Sequence, residues 1–365
     1  NHIMRIITLS LLLCGLVIPS FGVRPPLKGY TYASEQAPTG KEWQSPENLA
    51  LNKEQPHAWF FPFQDIKSAR KVLPENSIYW QSLNGNWKFT WAADPDSRPK
   101  DFYKTDFDVT AWDNIPVPSS WNIYGVQQDG SLKYGVPIYV NQPVIFMHSV
   151  KADDWRGGVM RTPPTNWTTY KYRNEVGSFR REFEIPEHWD GREVFISFDG
   201  VDSFFYLWIN GMYVGFSKNS RNTANFNITN YLRSGKNIVA AEVYRNSDGS
   251  FLEAQDMFRL PGIFRTVALY STPKVQIRDL VATPDLDNNY TDGSLTIQAD
   301  IRNFGKKTAK GYKVCYSLYA NKLYSDENEP VILATDTKGA AIRNCVVAQV
   351  EPITTGNTQE AEKWF

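Results

Sequence analysis

Two aromatic-rich runs separated by two residues constrain this chain more than any other feature. Phe204 to Ile209 runs into Asn210-Gly211 and then into Met212 to Phe216. A two-residue connection of that composition closes a type I′ hairpin, because both central residues need positive φ and Asn and Gly adopt it at least cost. The chain therefore contains antiparallel sheet, and rings on both sides of the turn suit a pleated, buried surface.

The same texture extends well beyond the hairpin. Aromatic residues make up 14% of the chain, and 23 Gly and 22 Pro punctuate it, which favours many short strands and argues against a helical bundle. The alternation of ring and polar residue in Trp87-Lys88-Phe89-Thr90-Trp91, after the turn Asn84-Gly85, predicts a strand. Further strands are expected at Gly177 to Ile185, Glu193 to Phe198, Asn237 to Tyr244 and Ile263 to Tyr270. At roughly 150 residues per domain, 365 residues suggest two or three domains. After Thr272-Pro273 tryptophan is absent until Trp364. Strands expected at Gln276 to Thr283, Ser294 to Asn303, Lys313 to Tyr319, Val331 to Thr335 and Val346 to Pro352 suggest a second, smaller antiparallel sandwich, with the boundary near Pro273.

Charge and metal-ligand patterns exclude several functions. Lys plus Arg and Asp plus Glu are both 39, so no net field draws the chain to nucleic acid or anionic membranes. Three cysteines cannot build a disulfide scaffold. His2, His57, His148 and His188 are too scattered for a zinc motif. Cys315 and Cys345 fall in the second sandwich, where export permits a bridge and buried thiols are the simpler expectation.

The first 22 residues read as an address. Arg5, the apolar run Ile6 to Val17 and Ser20-Phe21-Gly22 match a signal peptide, with a mature start at Val23. Asn1, His2 and Ile3 precede Met4 as a leading remnant, and Cys14 follows Leu13, a poor lipobox. The run is shorter than the ~20 residues of a membrane span, so the expectation is an exported protein, periplasmic or extracellular, without a span. Residues 23–56 are polar and aperiodic, an extended arm lying on another surface or disordered.

Two long connections are candidates for function. Arg245 to Gly262 sets Asp248, Glu253 and Asp256 among Arg245 and Arg259. Carboxylates can accept sugar hydroxyls or coordinate a hard cation while arginines fasten the loop; ordinary solvated ion pairs are the alternative. Trp121 to Gly177 contains Pro137-Ile138-Tyr139-Val140-Asn141, then a stretch with Trp155, Trp167 and Tyr170. Such rings either stack on sugar faces or pack the loop onto its own domain.

Several segments together resemble the front of the glycoside hydrolase family 2 β-galactosidases: Ser82 to Phe89, Val117-Pro118-Ser119-Ser120-Trp121, Pro137 to Asn141, Phe198 to Ser203 with Trp208 to Gly211, Ser247 to Arg259, and Gly262-Ile263-Phe264-Arg265. The resemblance runs from about residue 57 to the end. It implies an all-β chain, with a jelly-roll sugar-binding β-sandwich over 57–272 and an immunoglobulin-like β-sandwich over 273–365, preceding a catalytic (β/α)₈ barrel. It further implies that Asp256 contacts galactose hydroxyls and helps hold a sodium ion, that Asn141 contacts the sugar, and that magnesium serves the intact enzyme. The stretch His148 to Val176 departs from the family by its length.

A barrel needs about 250 residues, and the part of the chain after residue 272 is far shorter and lacks alternating helices. The two glutamates of a retaining glycosidase are therefore not expected here, and no catalytic residue is assigned. Asn328-Glu329-Pro330 spells an acid/base tripeptide, but it follows the acidic turn Ser325-Asp326-Glu327 and not a buried apolar strand. The expectation is the inactive N-terminal part of an exported β-galactosidase that acts with retention. Its partners would be a galactoside, its own barrel and, in a homo-oligomer, further copies. A free-standing carbohydrate-binding module, an assembly domain completing another subunit's site, and the N-terminal part of a β-glucuronidase or β-mannosidase are the alternatives.

Overall fold

The computed structural model describes residues 37–139, 174–253, 257–286, 293–307, 309, 312–316, 319–320, 331–332, 346–349 and 358–363. The leader, Asn141, Trp155, Trp167, Tyr170, Asp256, Asn328-Glu329-Pro330 and Cys345 lie outside these residues. Apart from short 3-10 turns, the helices among the described residues are single turns, α1 (Ile66–Ala69) and α2 (Trp121–Tyr124). No described helix is long and apolar enough to cross a membrane.

The strands of the first unit are β1 (Ala50–Leu51), β2 (Trp80–Ser82), β3 (Gly85–Ala92), β4 (Asp113–Val117), β5 (Ile138–Tyr139), β6 (Val176–Glu184), β7 (Glu193–Phe198) and β8 (Val201–Asp202). They continue with β9 (Phe204–Ile209), β10 (Met212–Ser217), β11 (Ala224–Asn227), β12 (Lys236–Tyr244), β13 (Phe258–Arg259), β14 (Gly262–Ile263) and β15 (Val267–Thr272). A seven-stranded antiparallel sheet, β1-β10-β9-β12-β6-β3-β4, packs on a four-stranded one, β11-β7-β15-β2. The chain is thus an all-β sandwich.

The anticipated hairpin forms. Asn210 and Gly211 have φ of 52° and 80°, and Met212 pairs with Ile209 across the two-residue turn, as the type I′ geometry requires.

Alternate residues of β9 go to opposite faces. Phe205, Leu207 and Ile209 join Trp87, Phe89, Phe179, Val239, Ala241 and Val243 in the core facing the small sheet, which contributes Ile196, Phe198, Val267 and Leu269. Phe204, Tyr206 and Trp208 point the other way, into an aromatic layer with Phe216 and Tyr244. Burial on both faces explains why this strand reads as a continuous apolar run. Each buried side chain of this size contributes about 1.5–3 kcal/mol by leaving water.

The cover of that outer layer comes from loops and the arm. Tyr103 stacks on Trp208 at 4.9 Å and Trp43 on Tyr244 at 5.4 Å. From residue 37 the arm is therefore part of the sandwich, and β1 extends the large sheet by pairing Ala50 with Ser217. One expectation is corrected. The strand foreseen at Ile263 to Tyr270 is two strands, β14 and β15, in different sheets. The turn foreseen at Asn84-Gly85 carries the chain from β2 in the small sheet to β3 in the large one.

Beyond Thr272, β16 (Val275–Leu286), β17 (Gly293–Asn303) and β22 (Thr358–Lys363) form a three-stranded antiparallel sheet. β18 (Lys313–Tyr316) pairs with β21 (Val346–Gln349), and β19 (Tyr319–Ala320) with β20 (Val331–Ile332). Of the strand foreseen at Lys313 to Tyr319, the described residues lie in β18 and at the start of β19.

Candidate functional site

The two segments singled out by the resemblance meet at one ladder. β5 and β13 pair antiparallel, with Phe258 opposite Tyr139 and Arg259 opposite Ile138. Asn141 follows Tyr139 by two positions and Asp256 precedes Phe258 by two.

The first half of the long loop is fastened by buried polar ties. Ser247 and Ser250 form a capping box at the turn Asp248–Phe251, satisfying backbone groups that the turn leaves open. Lys218 Nζ lies 2.9 Å from Asp248 Oδ1, with the two side chains 2% and 5% exposed. Burial pulls the Lys218 amine down and the adjacent Asp248 opposes that. Glu253 accepts from the Ser220 backbone N at 2.7 Å and from the Ser220 hydroxyl. Arg245 reaches Glu175 at 2.6 Å and the Val136 carbonyl at 2.8 Å.

Asp248 and Glu253, which the sequence offered as sugar or cation ligands, are therefore engaged by donors within the chain. Arg245 fastens the loop, the role expected of it. The third carboxylate of the loop, Asp256, lies outside the described residues.

Beside the loop, Asp202, Arg221, Asn246, Ser250, Glu253 and Met257 line a narrow polar crevice. The Asp202 carboxyl is pushed up to about 6 by burial, and Glu253 adds to that while Arg221, Arg245 and Arg259 oppose it. Arg221 Nη2 stands 3.4 Å from Asp202 Oδ2. Among the described residues no group of three His, Cys, Asp or Glu is placed to hold a metal ion. This edge offers hydrogen-bonding and positioning chemistry. Sequence reading passed over Glu175, Lys218 and Ser220, which carry no periodic or motif signal. Asp202 stood within a quoted segment without an assigned role.

A larger cavity, about 370 Å³, lies where the small sheet meets the first strand after Thr272, lined by Phe60, Phe61, Phe195, Tyr270 and Val275. Its one carboxylate, Glu54, pairs with Arg302 at 2.6 Å. It includes none of the residues to which the resemblance points.

An antiparallel β-sandwich with long loops gathered at one end is the class that this architecture defines. The profile "Glycosyl hydrolases family 2, sugar binding domain" matches residues 80–273, and the chain belongs to glycoside hydrolase family 2. A β-galactosidase from Priestia megaterium is 42% identical over 264 residues, covering 72% of this chain and 24% of that enzyme. One from Halalkalibacterium halodurans is 36% identical over 259 residues, 71% of this chain and 23% of the enzyme. The β-galactosidase large subunit of Lactobacillus helveticus is 32% identical over 296 residues, 79% of this chain and 44% of the subunit. The chain thus spans less than half the length of these relatives, about a quarter for the first two. A solved β-glucuronidase from Bacteroides uniformis has the same fold, with TM-score 0.51 at 16% identity over 78% of this chain and 27% of that one.

Proposed function

We propose that the chain is the non-catalytic N-terminal part of an exported β-galactosidase that hydrolyses terminal β-D-galactosides with retention. The observation that carries this reading is the β5–β13 ladder, which joins the Pro137 to Asn141 run to the Ser247 to Arg259 loop. On this reading Asn141 and Asp256, each two positions from the last described pair, reach one rim and meet the sugar. Asp256 also shares a sodium ion with the barrel, and magnesium belongs to the intact enzyme. The strands after Thr272 serve as an immunoglobulin-like spacer, and the leader directs export to the periplasm or beyond.

The specificity rests on the β-galactosidase relatives, since the β-glucuronidase likeness speaks for the fold alone. The test is hydrolysis of aryl β-galactoside and aryl β-glucuronide by two proteins, the 365-residue chain and the full product of its gene. The full product should turn over the galactoside while the shorter chain shows nothing above a heat-killed control. Turnover by the shorter chain, or preference of the full product for the glucuronide, contradicts the reading. Calorimetric binding of galactose by the shorter chain alone would instead favour a self-sufficient binding module.

A further inference from the structure

Glu175, just before β6, is 2% exposed and collects donors from several elements. Its Oε2 accepts from Trp121 Nε1 at 3.0 Å, Asn122 Nδ2 at 3.2 Å and Trp91 Nε1 at 3.4 Å, while Oε1 takes Arg245 Nη1 at 2.6 Å. A carboxylate this deeply placed persists because its lone pairs are satisfied and a cation faces it.

The same network reaches both segments of the candidate site. Arg245 and Asn122 donate to the carbonyls of Val136 and Tyr134. Gly135, at φ +72°, packs so closely that a Cβ there would stand 2.3 Å from Glu175 Oε1. The Tyr134–Val136 turn is thus moulded on the carboxylate, and β5 follows directly. On the other side the Arg245 backbone N donates to the Glu175 carbonyl at 2.9 Å. Asn174 and Asn246 exchange two hydrogen bonds, at 2.8 and 2.9 Å.

We propose that Glu175 is a positioning residue that fixes residues 134–139 and the start of the long loop, residues 245–253, relative to each other. On the functional reading above, on which this inference rests, it thereby steadies the two runs that lead to Asn141 and Asp256. Its action is indirect, through Arg245, Asn122 and the turn at Gly135.

The test uses Glu175→Asp, which keeps the charge and retracts it by one methylene, and Glu175→Gln, which removes the charge. Glu242→Asp is the control, because Glu242 is also buried and pairs with Arg98 at 2.9 Å on the outer aromatic face. Hydrogen exchange in the 365-residue chain should accelerate about tenfold, an opening cost of about 1.4 kcal/mol, in peptides covering 134–141 and 245–259 together. Peptides from β7 and β15 should stay unchanged. In the full gene product, Glu175→Asp should raise KM for an aryl β-galactoside about tenfold with kcat within about threefold, the pattern of lost uniform binding, and Glu242→Asp should do neither. If Glu175→Gln fails to fold, Glu175→Asp alone decides. Acceleration spread over the whole sandwich, or confined to one of the two segments, overturns the proposal. If the two segments loosen together but the wild-type full product does not cleave galactosides, the positioning role is supported and the galactoside reading fails.

Discussion

The outer aromatic face of the large sheet and the loop-bearing edge formed where its strands end are both buried, by opposite means. On the face, Phe204, Tyr206, Trp208, Phe216 and Tyr244 are covered by Trp43, Phe102 and Tyr103, so ring area leaves water. At the edge, Glu175 meets Arg245, Lys218 meets Asp248 and Ser220 meets Glu253. Rings tolerate repacking when volume is kept. A buried charge does not tolerate the loss of its partner, because the remaining ion stays desolvated. The face contributes stability, and the edge contributes a fixed geometry at the place where the candidate site stands.

The largest expected effect lies on the face. Trp208→Ala should cost about 4 kcal/mol in urea unfolding, whereas Trp208→Phe should cost less than half of that. Equal losses would mean that the stack on Tyr103 is specific and not a matter of volume. At the edge, Lys218→Met should cost about 3 kcal/mol by leaving Asp248 buried and unpaired. Adding Asp248→Leu should recover most of that, and a double variant as unstable as the single one would break the contrast.

Asp202 separates the regions by pH. Its carboxyl sits at about 6, above the ordinary aspartate value of 3.8. Between those values the native state holds more protons than the unfolded chain, so stability falls as pH rises from about 4 to about 6, with the loss complete above that. Asp202→Asn should therefore raise stability at pH 7 by up to about 3 kcal/mol, and the gain should vanish near pH 4. A gain that does not depend on pH would contradict the burial argument. The smallest effect belongs to the hairpin: Gly211→Ala, at φ 80°, should lower the melting temperature by an amount equivalent to about 1 kcal/mol, with the β9–β10 register intact.

What could be read from the sequence divides along the same line. The hairpin, β6, β7, β9, β10 and β12 announced themselves because long apolar or alternating runs encode burial locally. β4 escaped because Pro116 interrupts it, which its place at the edge of the large sheet permits. β11, Ala-Asn-Phe-Asn, also lies at a sheet edge and is too polar to read as a strand. β5 and β13 are two residues each, too short for any period. The edge was least legible. Glu175 and Arg245 are 70 residues apart, and nothing local to either marks the other as its partner. The loop's three carboxylates look alike in sequence, and only the fold shows Asp248 and Glu253 meeting donors inside the chain.

The engagement of Asp248 and Glu253 inside the chain, together with the sugar role proposed for Asp256, is the account's central claim, and a substitution pair in the full gene product tests it. Asp256→Asn should lower kcat/KM for an aryl β-galactoside by at least about a hundredfold, about 2.7 kcal/mol of transition-state stabilisation. Glu253→Gln, altering a carboxylate bonded to Ser220, should change it by no more than about threefold. A large loss at Glu253 with little at Asp256 would contradict the account.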